Sequence, residues 1–93
     1  MSSPLSPSVN ILLVDDNLDG LLVRRSLLEE LGYHVQSAIN GEEGLKLFDA
    51  HSFDVVVTYY KMPRMDGIEL IGRMRTLNAN ALVVLLSGFV DPL

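Results

Sequence analysis

The chain has 93 residues and therefore forms one domain at most, and its lack of cysteine excludes a disulfide framework and a thiolate metal site. A formal net charge of −5 argues against a nucleic-acid-binding surface, which would normally carry a basic patch. The longest apolar stretch, residues 81–86, is far too short to span a membrane. We therefore expect neither nucleic acid nor a membrane as a partner, and the absence of cysteine fits a cytoplasmic location.

Residues 1–10 are rich in serine and proline, and they lack both a basic segment and an apolar core. This composition predicts a flexible leader and not a signal peptide. The folded domain is expected over residues 11–93.

Short apolar runs alternate with amphipathic segments from residue 11 onwards, which is typical of a βα repeat. The first strand is predicted over residues 11–14. The helix after it can be capped by Asn17 or Asp19, and it should end at Gly32. Arg24 and Arg25 are expected on its solvated face. Its apolar stripe is predicted to contain Leu21, Leu22, Leu28 and Leu31, widened by Val23 and Leu27.

The remaining segments continue the same alternation. Strands are predicted over residues 33–39, 53–59 and 81–86, and helices over residues 42–50 and 68–77. Connections between parallel strands are right-handed, so the four strands should form one parallel sheet with helices on both faces.

Polar side chains stand where the predicted strands end, and ligands bind beyond the carboxyl ends of such strands. The first strand ends in Asp15 and Asp16, the third in Tyr59 and the fourth in Ser87. Two adjacent carboxylates resist burial unless a cation neutralises them, and Mg²⁺ prefers hard oxygen ligands of this kind. Taken alone, however, the pair favours a simpler interpretation, in which Asp16 caps the first helix and Asp15 faces solvent.

The chain resembles the receiver domain of two-component response regulators in three blocks, namely ILLVDDN, FDVVVTYYKMPRMDGIEL and ALVVLLSG. The resemblance implies a flavodoxin-like, doubly wound α/β fold with strand order 2-1-3-4 and a fifth strand beside the fourth. Since the chain ends at Leu93, the fifth strand is expected to be missing. The implied function is that of a phosphorelay signalling module and not of an enzyme.

The resemblance also implies roles for individual residues. Asp15 and Asp16 would be the acids of a Mg²⁺ site, and Lys61 would offer its backbone carbonyl to the metal. Ser87 would be the hydroxyl that senses the phosphoryl group. A histidine kinase or a phosphotransfer protein would be the partner.

Tyr59 stands where this family has its phosphoacceptor aspartate, which lies four residues before a proline, here Pro63. A phenol is a neutral, weak nucleophile at pH 7, whereas an ionised carboxylate is ready to attack phosphorus. The change also removes one metal ligand, so Mg²⁺ binding should be weak or absent. We expect no phosphotransfer at this position; the alternative is that Tyr59 imitates one switch state or is itself phosphorylated.

A missing fifth strand would leave the fourth strand as an open, apolar edge. Such an edge pairs readily with another chain, which predicts a homodimer or a swapped assembly.

Other functions stay open at this point. One is a protein-interaction module that works without phosphate, and another is a Mg²⁺-dependent phosphohydrolase. Phosphohydrolases that resemble the haloacid dehalogenase group have one residue between their two acids, whereas Asp15 and Asp16 are adjacent. Flavin binding is disfavoured because the same acidic pair would repel the flavin phosphate.

Overall fold

The computed structural model describes residues 8–87. Within this range the chain forms four strands and three helices in alternating order: β1 (Asn10–Val14), α1 (Leu18–Glu30), β2 (His34–Ala38), α2 (Gly41–Ala50), β3 (Val55–Tyr59), α3 (Gly67–Leu77) and β4 (Val83–Leu86). The strands pair in parallel in the order β2-β1-β3-β4. This confirms the predicted α/β sheet and its strand order. None of the described helices is long and apolar enough to cross a membrane.

Strands β1, β3 and β4 end at the predicted residues, while their first residues differ from the prediction by one or two positions. The structure places Asn10 inside β1, where its backbone N–H donates to Asp54 Oδ2 at 2.7 Å. Val9 packs against the core. The last two residues of the predicted leader thus belong to the fold, and residues 1–7 and 88–93 lie outside the described range.

The core consists of two hydrophobic clusters on opposite faces of the sheet, because successive side chains of a strand point to opposite faces. The cluster beneath α2 and α3 contains Leu12, Val14, Ala38, Val56, Met62, Met65, Leu70 and Met74. The cluster beneath α1 contains Ile11, Leu13, Leu21 and Val35. Strand β1 contributes to both clusters, and it is therefore buried on both faces, as a central parallel strand should be.

The buried side of α1 differs from the predicted apolar stripe. Leu21 is 2 % exposed, but its neighbour Leu22 is 53 % exposed, and Val23, Leu27 and Leu31 are exposed as well. The residues that face the sheet are Leu21, Arg24, Arg25 and Leu28, at the spacing i, i+3, i+4 and i+7 of one helix face. The prediction is right for Leu21 and Leu28 and wrong for the four exposed residues. Both sides of this helix are rich in apolar residues, and only one of them packs on β1 and β2.

Polar side chains fix where the helices begin. Backbone N–H groups of the first turns donate to Asn17 Oδ1 at 3.0 Å, to Asn40 Oδ1 at 2.8 Å and to Asp66 Oδ1 at 2.9 Å. Asn17 is one of the two caps predicted for α1. Gly32 follows the end of this helix with φ of 99°, the left-handed conformation that the sequence predicted.

The substitution Leu21→Ala should lower the free energy of unfolding by about 2–5 kcal/mol, because it leaves a cavity in the cluster beneath α1. Leu22→Ala makes the same chemical change on the adjacent, exposed side chain, and it should change that free energy by about 0.5 kcal/mol or less. Urea denaturation followed by circular dichroism measures both. Equal losses would contradict the orientation of α1 described above.

Strand β4 forms one edge of the sheet within residues 8–87, and its Val84 and Leu85 are 43 % and 39 % exposed. The homodimer or swapped assembly therefore stays a prediction. Size-exclusion chromatography with light scattering checks it, and a stable monomer would contradict it.

Candidate functional site

The carboxyl ends of β1 and β3 lie side by side, because Val14 and Thr58 are partners in the parallel register. Asp15 and Tyr59 follow this pair directly along the two strands. Strand β4 ends opposite Tyr59, and Ser87 comes next. The sheet thus brings Asp15, Tyr59 and Ser87 to one edge, as predicted, and this is the edge at which parallel sheets bind ligands.

Asp15 is fully buried, and both of its carboxylate oxygens are hydrogen-bonded. The backbone N–H of Asn17 donates to Oδ1 at 3.0 Å. Arg24 Nη1 donates to Oδ2 at 2.6 Å, and the two side chains form an ion pair. A buried carboxylate without such a partner costs several kcal/mol, so Arg24 is what allows Asp15 to be buried in its ionised form.

The simpler interpretation of the acidic pair is therefore wrong in both parts. Asp15 does not face solvent, and the residue that caps α1 is Asn17, not Asp16. Asp16 is exposed, so the two adjacent acids occupy different environments. The chain bends at Asp16, just after β1, so the two residues are separated where the strand ends.

Arg24 also contacts Tyr59 in two ways. Arg24 Nη2 donates to the Tyr59 hydroxyl. The guanidinium carbon lies 4.5 Å from the centroid of the phenol ring, within the range of a cation–π contact. One guanidinium thus joins the carboxylate after β1 to the phenol at the end of β3. These three side chains form the Asp–Arg–Tyr cluster.

Gly20 leaves the space through which Arg24 reaches Asp15. Side chains on a helix tilt toward its amino end, so Arg24 extends back over the residue four positions earlier. A Cβ atom at Gly20 would lie 2.6 Å from Arg24 Nη1 and 3.4 Å from Asp15 Oδ2. The absence of a side chain at this position therefore favours the observed contact.

The expectation that Arg24 lies on a solvated face is wrong. A signal for its true position was available in the sequence, because Arg24 lies between Leu21 and Leu28 at the spacing of one helix face. A basic residue that interrupts a buried face needs a partner at the end of its side chain. The acidic residues just before the helix are the nearest candidates in the sequence.

Lys61 and Ser87, the other predicted site residues, follow the carboxyl ends of β3 and β4. Lys61 is exposed two residues after β3, and Ser87 is exposed after β4. Met62 and Met65, in the loop between β3 and α3, are buried in the cluster beneath α2 and α3. The roles of Lys61 and Ser87 stay predictions.

Asp16 is the exposed carboxylate at this edge, whereas the surroundings of Asp15 and Tyr59 do not suit a Mg²⁺ ion. Mg²⁺ requires near-octahedral oxygen ligands, usually including one or two carboxylates. One oxygen of Asp15 is held by a guanidinium, and Tyr59 offers a phenol in place of a carboxylate. Among residues 8–87, no group of three or more His, Cys, Asp or Glu side chains could hold a metal ion.

A cleft of about 540 Å³ lies at the opposite end of the sheet, where its lining includes Asn10, His34 and Phe53. These residues stand at or before the amino ends of strands. Ligands bind parallel sheets at the carboxyl ends, so the Asp–Arg–Tyr cluster remains the better candidate for the functional site.

The family model of the response regulator receiver domain matches residues 11–92. The chain belongs to this family. Receiver domains are in general signalling modules rather than enzymes. The match confirms the resemblance inferred from the sequence, and it favours a receiver over a phosphohydrolase.

Individual proteins agree with this assignment. The virulence sensor protein BvgS of Bordetella bronchiseptica is 40 % identical over 80 residues, which cover 84 % of this chain but only 6 % of that protein. The response regulator TrrA of Thermotoga maritima, solved in complex with Mg²⁺ and BeF, is 34 % identical with a TM-score of 0.84, over 87 % of this chain and 70 % of that one. The chemotaxis protein CheY4 of Vibrio cholerae is 26 % identical with a TM-score of 0.86, over 92 % and 73 %. Mg²⁺ is thus a ligand of a related response regulator.

Arg24→Ala should lower the free energy of unfolding of this receiver domain by about 1–3 kcal/mol, because it leaves the buried carboxylate of Asp15 without its charged partner. Arg25→Ala is the matched control. It removes the neighbouring guanidinium, which forms a solvent-exposed ion pair with Glu29 at 3.4 Å and a hydrogen bond to the Ser37 hydroxyl at 3.3 Å but contacts no buried charge. It should change stability by about 1 kcal/mol or less.

Urea denaturation of the two variants beside the native chain measures this difference. If Arg25→Ala lowers the free energy of unfolding as much as Arg24→Ala does, the ion pair of Arg24 with Asp15 contributes no more to stability than the contacts of Arg25.

Proposed function

We propose that this receiver domain takes part in a phosphorelay through protein contacts and does not accept a phosphoryl group at residue 59. The observation that carries the proposal is the hydrogen bond from Arg24 to the hydroxyl of Tyr59, at the strand end where the acceptor is expected. A hydroxyl that accepts this hydrogen bond stabilises the structure of the site and is not positioned to attack phosphorus.

The chemistry of the cluster supports this view. A phenol becomes a good nucleophile only when a base removes its proton. Asp15 is the carboxylate of the cluster, but its oxygens already accept hydrogen bonds from Arg24 and Asn17. The guanidinium also draws on the lone pairs of the hydroxyl oxygen, which are the electrons that would have to attack phosphorus.

The partner in this proposal is a histidine kinase or a phosphotransfer protein, and the sensor protein among the relatives supports a partner of this class. The domain has no enzymatic activity of its own, and it acts in the cytoplasm, which the absence of cysteine fits. Weak or absent Mg²⁺ binding belongs to the same proposal, because Tyr59 stands where the family has a carboxylate ligand.

Intact-mass analysis after incubation with Mg²⁺ and acetyl phosphate tests the loss of phosphoacceptance. The native chain should gain no phosphoryl group, because residue 59 is a phenol in place of a carboxylate and its oxygen accepts a hydrogen bond from Arg24. A receiver domain that keeps the acceptor aspartate, treated in parallel, shows that the phosphodonor is active.

Tyr59→Phe identifies the acceptor if the native chain is labelled after all. A label on the native chain that disappears in Tyr59→Phe would show that the phenol itself accepts phosphate. A label on both proteins would locate the acceptor elsewhere. The first result would contradict the absence of phosphoacceptance at residue 59, and the second would contradict a function that works through protein contacts without phosphate.

A pull-down with the immobilised protein is a second test. It should retain the same proteins from a bacterial lysate that contains two-component kinases, in equal amounts, whether or not acetyl phosphate is present. Retention that depends on the phosphodonor would show that phosphate still operates a switch in this domain.

A further inference from the structure

The positive charge that neutralises the buried carboxylate of Asp15 belongs to the chain itself. We propose that Arg24 replaces the divalent cation of this site, so that the domain is metal-independent and gains little Mg²⁺ affinity when a carboxylate is restored at position 59 alone. The inference deepens the proposed function because it concerns the same edge of the sheet. It rests on the weak Mg²⁺ binding of the proposed function and adds its cause, Arg24, so the Arg24 variants can refute it while the absence of phosphoryl transfer at residue 59 still holds.

The first step of the argument is the position of the guanidinium. Arg24 Nη1 lies 2.6 Å from Asp15 Oδ2, and Nη2 donates to the Tyr59 hydroxyl. A Mg²⁺ ion bound to the same carboxylate oxygen would lie about 2.1 Å from it. The metal would therefore stand within a few ångströms of a fixed positive charge. It can bind this oxygen only after Arg24 has moved away.

The second step is the charge of the cluster. Within the Asp–Arg–Tyr cluster the carboxylate of Asp15 and the guanidinium of Arg24 balance each other, while the exposed Asp16, the other acid of the expected site, lies outside the cluster. A divalent cation is bound where carboxylates leave an excess of negative charge. Here the chain has already balanced its own buried charge.

The third step concerns the variant Tyr59→Asp. It places a second carboxylate beside the guanidinium, whose planar fork of five N–H donors suits carboxylates. The added carboxylate leaves one negative charge in excess, but Arg24 stays beside Asp15 and competes with Mg²⁺ for both acids. Restoring the acid alone therefore leaves the guanidinium in competition with the metal.

Gly20 is consistent with the inference. A side chain at this position would meet Arg24 Nη1 at 2.6 Å, so the residue one turn before Arg24 leaves room for the guanidinium. Arg25, the next residue along α1, turns instead to Ser37 of β2, at 3.3 Å from its hydroxyl oxygen. The two arginines therefore differ in their contacts although they are adjacent in sequence.

Isothermal titration with MgCl₂, together with the shift of the melting temperature in Mg²⁺, tests the proposal. The native chain and Tyr59→Asp should bind Mg²⁺ weakly or not at all. The double variant Arg24→Ala/Tyr59→Asp should bind it about 10–100-fold more tightly than Tyr59→Asp, the range over which groups next to a metal ligand alter affinity. The stabilisation of the double variant by Mg²⁺ should follow the same order.

The matched control is Arg25→Ala/Tyr59→Asp, which changes the net charge by the same amount at the neighbouring position. It should bind Mg²⁺ no better than Tyr59→Asp. If this control equals the Arg24 double variant, the gain comes from net charge and the proposal is wrong. It is also wrong if Tyr59→Asp alone binds as tightly as the double variant, or if the native chain binds Mg²⁺.

Arg24→Gln/Tyr59→Asp keeps the experiment decisive if the alanine variant does not fold. Glutamine retains an N–H donor for Asp15 without the charge, and circular dichroism verifies folding. The same comparison with the Arg25 control then applies. Phosphorylation of the native chain without Mg²⁺ binding would overturn the proposed function and leave this inference intact.

Discussion

A buried carboxylate must be balanced by a positive charge, and the carboxyl edge of this sheet is arranged around the way in which Asp15 meets that requirement. The balancing group comes from α1, and it extends across to the end of β3. The charged partner that Asp15 needs at the end of β1 therefore also shapes the surroundings of Tyr59. Fold and site cannot be separated at this edge, because one side chain serves both.

The same side chain orients α1. Leu21 contributes apolar packing on β1 and β2, while Arg24, one turn later on the same helix face, contributes a charged contact at the sheet edge. The two contacts together fix the rotation of the helix about its axis. A rotation that buried Leu22 or Val23 instead would withdraw the guanidinium from the carboxylate. The exposed apolar side of α1 is therefore a direct consequence of where Arg24 must point.

The sequence predicted most of the fold because strand and helix signals are local. Apolar runs that stop at Asp15, Tyr59 and Ser87 gave the strand ends that form the site edge, and Asn17 and Gly32 gave the limits of α1. The face of α1 was not predictable in the same way, since apolar residues cover more than one side of it. Its orientation depends on a contact between side chains distant in sequence.

The site was predictable only in its placement. Asp15 and Asp16 are equivalent in sequence, and burial of one of them distinguishes the two only after folding. Helix spacing points Arg24 toward the acids before α1, but its second partner, Tyr59, lies 35 residues away, and no local periodicity can indicate it. The family resemblance directed attention to a metal at this edge and not to an arginine. The departure at residue 59 was visible in the sequence, whereas its link to Arg24 required the structure.

The stacking of Tyr59 on a guanidinium has an optical consequence. The chain contains three tyrosines and no tryptophan, so phenol rings dominate its near-ultraviolet absorption. Tyr33 and Tyr60 are 37 % and 41 % exposed, whereas Tyr59 is partly buried and held against a fixed charge. Its ring has the most asymmetric surroundings of the three and should contribute most of the near-ultraviolet circular dichroism. The domain thus carries an intrinsic, label-free reporter at the carboxyl edge of its sheet.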